Sequence, residues 1–453
     1  MQRQGLSFDY VNSFQEHKQI LAEKLSDSRI HTIAITTTLY FTTEPIAEIV
    51  QFIRQYNQDA VIIAGGPFIA SQIRIQDTGL LNYLFNYIGA DVYVNSNEGE
   101  LTLTRIIDAV KNSAAMNSIT NIYYKENNQF IKTQEEPENN ILDKNMVNWS
   151  LFREQMGDKQ FLRTAKSCPF TCSFCNYPTF GGKFQTVNLE AIIYELDLIK
   201  KLNKTKWLHF VDDSFNVPKP RFKELLKLMI KRDYQFKWAS FLRCQFLDEE
   251  TVKLMKESGC QYVFLGLESG NDNILEKMNK KTTVSKYKKG IELLAKYGII
   301  TFGSFIIGFP GETEKTVQDT NNLIKMVDFY TPANWLCLPD APIIQEKDKY
   351  SIKGLMYNWQ HCTMDSYTSC QIIDDLFLHE KDSVYLPKFD LDATLIMYLL
   401  AAGINRPQIK DFIRAFNEGV KETVFNEPGS EIGTEYMDKL KNSNLHHQKL
   451  IQF

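Results

Sequence analysis

The stretch SCPFTCSFCNYP, residues 167–178, places three of the chain's eight cysteines, Cys168, Cys172 and Cys175, within eight residues. Thiolates are soft ligands, suited to zinc or to an iron–sulfur cluster. Structural zinc wants four closed ligands, usually paired Cys-x-x-Cys units or cysteine with histidine. No second pair stands near, and the next cysteine along the chain is Cys244. A cube of four irons held by three thiolates keeps one iron open to a small molecule. A zinc knuckle, or buried cysteines that happen to cluster, is the competing reading of the spacing.

The surroundings favour the cluster. FLRTAKS reads as a strand running into the cysteine loop, and strands and helices then alternate. WLHFVDDS, KWASFLRCQ, QYVFLGLES, ITFGSFIIGFP and ANWLCLP read as five further strands, each apolar on both faces. Between them lie helical segments such as NLEAIIYELDLIKKL, capped by Asn188, and DEETVKLMKESG, capped by Asp248 and stopped by Gly259. Six βα steps with doubly buried strands predict a partial (β/α) barrel over residues 149–345. The cysteine loop then sits at the C-terminal face, where such barrels keep their active sites.

Residues 1–148 predict a separate α/β domain with its linker. HTIAITTTLY and AVIIAGGP read as buried strands, the second ending in a Gly65-Gly66 turn, and NIYYKENNQFIKT as a hairpin. Residues 346–453 predict loops and helices, including LDATLIMYLLAAG and QIKDFIRAF. At 43% hydrophobic and 23% charged, the composition is that of a globular protein rather than a disordered one. A net charge of -4 argues against a nucleic-acid partner. The start shows no basic flank before an apolar run, and no run is long enough to span a bilayer. Together with unspaced cysteines, this predicts a cytoplasmic enzyme with a metal or redox site.

Cys-x-x-x-Cys-x-x-Cys in the first loop of a six-strand partial barrel resembles the radical S-adenosylmethionine (AdoMet) superfamily, over about residues 155–340. The resemblance implies a 4Fe-4S cluster on Cys168, Cys172 and Cys175. Its open iron takes the amino and carboxylate groups of AdoMet, and an electron cleaves AdoMet to methionine and a 5′-deoxyadenosyl radical. A flavodoxin or ferredoxin would supply that electron. Phe174 matches the aromatic before the third cysteine, near the adenine. Asp213 (with Asp212 and Ser214) ends the second strand, where the family contacts AdoMet; a helix-capping turn is the alternative. Arg243 could meet the AdoMet carboxylate, or be a surface arginine. Glu268 and Ser269 could accept from ribose hydroxyls, or cap the strand. Gly303 and Gly308, in GSFIIGFPGET, resemble the adenine site, where glycine admits a flat ring; a turn needing positive φ explains them as well.

The N-terminal domain resembles the cobalamin-binding domain of radical AdoMet methyltransferases through AVIIAGGP and GADVYVNSNEGE. Asp-x-His-x-x-Gly is missing, so the usual histidine ligand to cobalt is absent. The domain either binds cobalamin without a lower ligand or is structural only. Downstream, Trp359, His361, Thr363 and Met364 resemble two related groups, the cobalamin-dependent P-methyltransferases of phosphinothricin biosynthesis and the proteusin-type peptide epimerases. The epimerases use a thiol to return hydrogen to a flattened carbon radical in a ribosomally made precursor peptide. Cys370 and Cys362 are the candidates here. Epimerisation is the leading expectation and cobalamin-dependent methylation of a carbon or phosphinate the alternative. Both cysteines, like Cys244, Cys260 and Cys337, also fit a packing role, and His361 fits either a general base or a core histidine.

Overall fold

The protein was described from a computed structural model, covering residues 1, 4–38, 40–96, 98–127, 129–138, 140–386, 393–426 and 433–438. The chain divides into two compact units, Met1–Asn145 and Met146–Phe453.

In the first unit, helix α1 (Lys18–Leu25) precedes strand β1 (Thr32–Thr36), α2 (Glu44–Tyr56), β2 (Val61–Gly65), α3 (Pro67–Ile75), α4 (Thr78–Ile88), β3 (Val92–Val94), α5 (Glu100–Lys111) and a hairpin of β4 (Ile122–Glu126) and β5 (Gln129–Lys132). The sheet order is β1-β2-β3-β4-β5, with the first three strands parallel and the hairpin antiparallel. Side chains alternate across β2, and the two sets lie in separate cores. Ile62 and Ala64 pack with Ile46, Val50, Phe85 and Ile88, while Ile63 packs with Val92, Ile106 and Ala109. That double burial is why the strand reads as a continuous apolar run. The sequence reading passed over α3. Pro67 stands at its first turn, where a missing N–H costs nothing. Gly66 before it has φ +116°, and a Cβ there would lie 2.9 Å from the Thr37 nitrogen.

The second unit runs β6 (Lys159–Leu162), a two-residue pair of β7 (Ala165–Lys166) and β8 (Gln185–Thr186) flanking α6 (Tyr177–Gly181), then α7 (Leu189–Leu202), β9 (Trp207–Phe210), α8 (Lys219–Lys231), β10 (Lys237–Leu242), α9 (Glu249–Glu257), β11 (Cys260–Glu268), α10 (Asp272–Lys277), α11 (Val284–Lys296), β12 (Ile300–Ile307), α12 (Glu314–Ile324) and β13 (Phe329–Asn334). After these come α13 (Lys347–Tyr350), a hairpin of β14 (Lys353–Leu355) and β15 (Asn358–Gln360), α14 (Ser366–His379), β16 (Val384–Tyr385), α15 (Ala393–Ala401) and α16 (Arg406–Val420). The main sheet is all parallel, in the order β16-β13-β12-β11-β10-β9-β6. Its ends stay open, giving the expected partial barrel with one short extra strand. The expected caps form: Asn188 accepts from the Ala191 N–H, and Asp248 from that of Thr251.

Three expectations shift. The sixth strand is Phe329–Asn334, not ANWLCLP, and the helix before it stops at Ile324. Pro332 inside the strand argues against a ladder position, but it lies past the two residues that pair with β16. FLRTAKS splits at Arg163-Thr164, because the Asp212 carboxylate accepts from the Thr164 and Ala165 N–H groups at 2.6 and 2.8 Å. Residues 346–453, read as a third region, fall in the second unit and supply β16 to its sheet; Leu391, Asp392 and residues 439–453 of that region lie outside the described residues.

The C-terminal helices have a definite task. Ile396, Met397, Ile409 and Ile413 pack against Trp207, Ala239, Tyr262, Ile300 and Phe329, at or near the N-terminal ends of the sheet strands. Among the described residues, no helix is long and apolar enough to cross a membrane.

Candidate active site

The three cysteines lie between β7 and α6, at the C-terminal end of the barrel, and the loop is tied down by its neighbours. The Ser173 N–H donates to the Met278 carbonyl at 2.9 Å, and its hydroxyl to that of Lys277 at 2.7 Å. The Asn279 amide donates to the Thr171 carbonyl at 2.7 Å. Ser167, Glu268, Asn279 and Lys281 all adopt left-handed backbone, uncommon for residues with a Cβ. Their gathering around one loop marks it as a place where conformational cost is tolerated.

Cys172 is buried, and Cys168 and Cys175 are half-buried. The Cys172 sulfur accepts from the Arg243 guanidinium at 2.9 Å, the Cys175 sulfur from the Tyr177 N–H at 3.4 Å, and Cys168 lies 3.8 Å from the Ser214 hydroxyl. Burial pushes the Cys175 thiol up to about 11, with smaller contributions from Cys172, Cys168 and Glu268. Such a trio calls for a cation. Among the described residues, the group whose three ligand atoms all meet within 4.8 Å is Glu98, Glu100 and Glu138, not the cysteines. One zinc with Zn–S bonds of about 2.3 Å would draw its sulfurs to roughly 3.8 Å apart. Three thiolates with no fourth cysteine near them in sequence are the donor set of a four-iron cluster that keeps one iron open.

The other expected residues divide. Arg243 is buried between the Phe170 ring, 3.5 Å from its centroid, the Cys172 sulfur and the Lys280 carbonyl. Its guanidinium is committed to the cysteine loop. Glu268 is buried and pairs with Lys280 at 3.0 Å. Lys280 also lies 5.8 Å from the half-buried Phe174 ring. Asp213 is exposed at the end of β9; its carboxyl is shifted up because partial enclosure outweighs a hydrogen bond from Tyr177. Ser269 is fully buried against Thr320 and caps the turn at Asn271.

Gly308 has φ +89°, and a Cβ there would lie 2.4 Å from Trp359. His361 Nε2 meets the Gly308 carbonyl at 2.9 Å and its ring stacks on Trp359, so the histidine is a core residue; burial lowers its pKa. The Trp-x-His-x-Thr-Met motif is thus a clamp around the Gly308 turn.

The two candidate thiols part company. Cys370 lies in the second turn of α14 and is exposed; the Asn334 amide, at the C-terminal end of β13, reaches its sulfur at 3.2 Å. Cys362 lines a cavity of about 850 Å³ with Thr171, Lys277 and Tyr350. Cys244, Cys260 and Cys337 are buried packing residues.

Sequence reasoning missed Lys280 and an aromatic band. Phe161, His209, Phe241, Phe264 and Phe302 form a chain of rings across five strands, 4.7 to 5.7 Å between successive centroids. Phe161 and Phe241 remain 47% and 41% exposed, so the band is open on one side. Alternation along β10, continued one residue past its end, puts Arg243 on the same face as Phe241. Each of the five strands carries at least one aromatic ring in its sequence. Apolar residues on both faces hid which set pointed inward.

The pattern of the Radical SAM superfamily matches residues 162–324, the span from the first strand to α12. The second unit contains a radical SAM domain. Its cofactors are a 4Fe-4S cluster and AdoMet, and the three-cysteine loop has the chemistry for the first. The chain is 26% identical over 317 residues to an uncharacterized methyltransferase of Pyrococcus horikoshii, covering 67% of this chain and 66% of the relative. It is equally identical to an anaerobic magnesium-protoporphyrin IX monomethyl ester cyclase of Rubrivivax gelatinosus, over 67% and 54%. The match thus spans just under two thirds, and about half, of those relatives. Among solved structures, the radical AdoMet methyltransferase TsrM of Kitasatospora setae, with cobalamin and a [4Fe-4S] cluster bound, shares the fold at a TM-score of 0.62 and 15% identity, over 95% of this chain and 92% of that one. That likeness extends beyond the radical SAM domain into the first unit.

Proposed function

We propose that this protein is a cobalamin-dependent radical AdoMet methyltransferase acting on an unactivated carbon or a phosphinate. The supporting observation is the pairing of a radical SAM domain with an N-terminal sheet of cobalamin-domain type, a pairing shared across nearly the whole chain with a methyltransferase structure. This reverses the order expected from the sequence, where epimerisation led.

When bound, the cluster supplies the electron that splits AdoMet into methionine and a 5′-deoxyadenosyl radical. Cys168, Cys172 and Cys175 would hold it, and the Arg243 guanidinium keeps a positive charge beside the Cys172 sulfur. Glu268, paired with Lys280, is the carboxylate assigned to the ribose hydroxyls in this reading. Asp213 offers a second polar contact at the mouth. The open aromatic band offers an apolar wall that excludes water from a radical centre. In the first unit, the Thr37 hydroxyl and Gly66 sit at the C-terminal ends of β1 and β2, the usual ligand-binding edge of a parallel sheet.

The test is cobalamin loading under anaerobic conditions. The protein should retain about one cobalamin with the spectrum of cobalt lacking a histidine ligand, and AdoMet with a labelled methyl should label the product. No retained cobalamin would overturn this reading.

One observation favours a second reading, peptide epimerisation. Cys370 presents an exposed thiol beside the C-terminal end of β13, the position a hydrogen donor needs. In deuterated water an epimerase adds one deuterium to a precursor peptide, and Cys370→Ala abolishes the product while Cys362→Ala leaves it.

A further inference from the structure

We infer that the lysine-rich surface from Lys277 to Lys289 is the docking face for a small acidic electron-carrier protein. The inference rests on the assignment of the cysteine loop as the cluster site. The chain as a whole is acidic, with 55 Asp and Glu against 51 Lys and Arg. Yet the stretch KMNKKTTVSKYKK, residues 277–289, holds six lysines and no acid. Lys280 turns inward to Glu268. Lys281, Lys286, Lys288 and Lys289 are exposed and Lys277 is half-buried. Among the described residues, none of these five is in an ion pair. Lysines elsewhere on the surface are in part paired, as Lys223 is with Asp248 and Glu250 and Lys296 with Glu249; what sets this stretch apart is six lysines in thirteen residues with no acid among them. An uncompensated positive strip is what electrostatic steering of an acidic partner requires.

Its position gives the strip a purpose. Met278 and Asn279 make the hydrogen bonds that fix Ser173 and Thr171, on either side of Cys172. The Lys280 carbonyl accepts from Arg243 at 3.1 Å, and the same guanidinium donates to the Cys172 sulfur at 2.9 Å. From exposed Lys281, then, one peptide unit and two hydrogen bonds reach a cluster ligand. Beside the strip, the cavity of about 850 Å³ is lined by Thr171, Ser173, Lys277 and Asn279, and also by Glu276 and Glu346. A carrier seated there delivers one electron to the cluster and is itself oxidised by one electron; no atom moves. A transient redox encounter needs only a small, salt-sensitive interface.

The test compares the cluster-loaded protein with the variant Lys281→Glu/Lys286→Glu/Lys289→Glu, using a flavodoxin as probe. Binding of oxidised flavodoxin, read without turnover, should weaken by about tenfold or more at low salt and lose most of its salt dependence. AdoMet cleavage driven by reduced flavodoxin should show a raised KM, while cleavage driven by dithionite and the iron content stay unchanged. Unchanged flavodoxin binding would overturn the proposal. So would an equal loss with both reductants, or a defect confined to binding of an acidic peptide substrate. Failure of the cluster assignment itself would appear separately, as missing iron in the unmutated protein.

Discussion

Cys172 carries the positive partner of the site. Its sulfur, the most enclosed of the three, is held by a guanidinium that also stacks on Phe170. A charge-assisted bond of this kind contributes about 1.5–3 kcal/mol, ten- to hundredfold in an equilibrium. Arg243→Gln should therefore leave a cluster that is harder to reduce, because the reduced form carries the extra negative charge. Potentiometric titration should place its reduction at more negative potential, and AdoMet cleavage should fall by about tenfold or more. An unchanged potential would show that Arg243 only packs. The cysteines themselves were legible from spacing alone. The role of Arg243 was not: β10 predicted where it stands, but a bond to sulfur rather than to a carboxylate depends on a loop 71 residues away. Lys280 lay in a polar, unperiodic stretch that offered no signal.

Elements decide how the residues are held. The GFPGE turn after β12 is fixed from below by Trp359 and from within by Glu312, whose carboxylate accepts from the Gly308 N–H at 2.6 Å. Gly308→Ala puts a methyl into the Trp359 ring at a left-handed position. A loss of about 2–4 kcal/mol is expected, measured by denaturant unfolding. Burial pushes the Glu312 carboxyl up to about 7. The folded state thus binds this proton more tightly than the unfolded chain, where a glutamate titrates near about 4.3. The stabilisation is full below that lower value and is lost as pH rises through about 7. Stability should fall between about pH 5 and 8, and Glu312→Gln should flatten part of the slope. Glu195, pushed up to about 7 by burial with Trp149 as its partner, contributes in the same direction, so some slope should remain. Strand and helix order was readable because doubly buried strands are continuous apolar runs. The sixth strand was misplaced because Pro332 argues against a ladder position, although it lies past the residues that pair with β16. The Trp-x-His-x-Thr-Met motif was visible, but its part in clamping Gly308 was not.

At the scale of the whole molecule, the chain joins two compact units, Met1–Asn145 and Met146–Phe453. The radical SAM domain accounts for residues 162–324, and the first unit accounts for the likeness that continues past it. The order of β1 to β3 was legible from Gly-Gly-Pro and the apolar runs. Whether the sheet edge takes cobalamin was not, because the sequence lacks the histidine motif and the edge is built from backbone and threonine. Methylation and epimerisation therefore separate on cobalamin retention and on Cys370→Ala, as set out above. Both rest on one claim, that the cysteine loop carries a cluster with an iron open to AdoMet. The most direct measurement is electron paramagnetic resonance of the anaerobically prepared, reduced protein before and after AdoMet, with 5′-deoxyadenosine quantified in the same sample. A reduced four-iron signal that changes shape on adding AdoMet, with deoxyadenosine released and both lost in Cys175→Ala, is the predicted result. A signal indifferent to AdoMet, or no iron signal and no deoxyadenosine, would contradict the account.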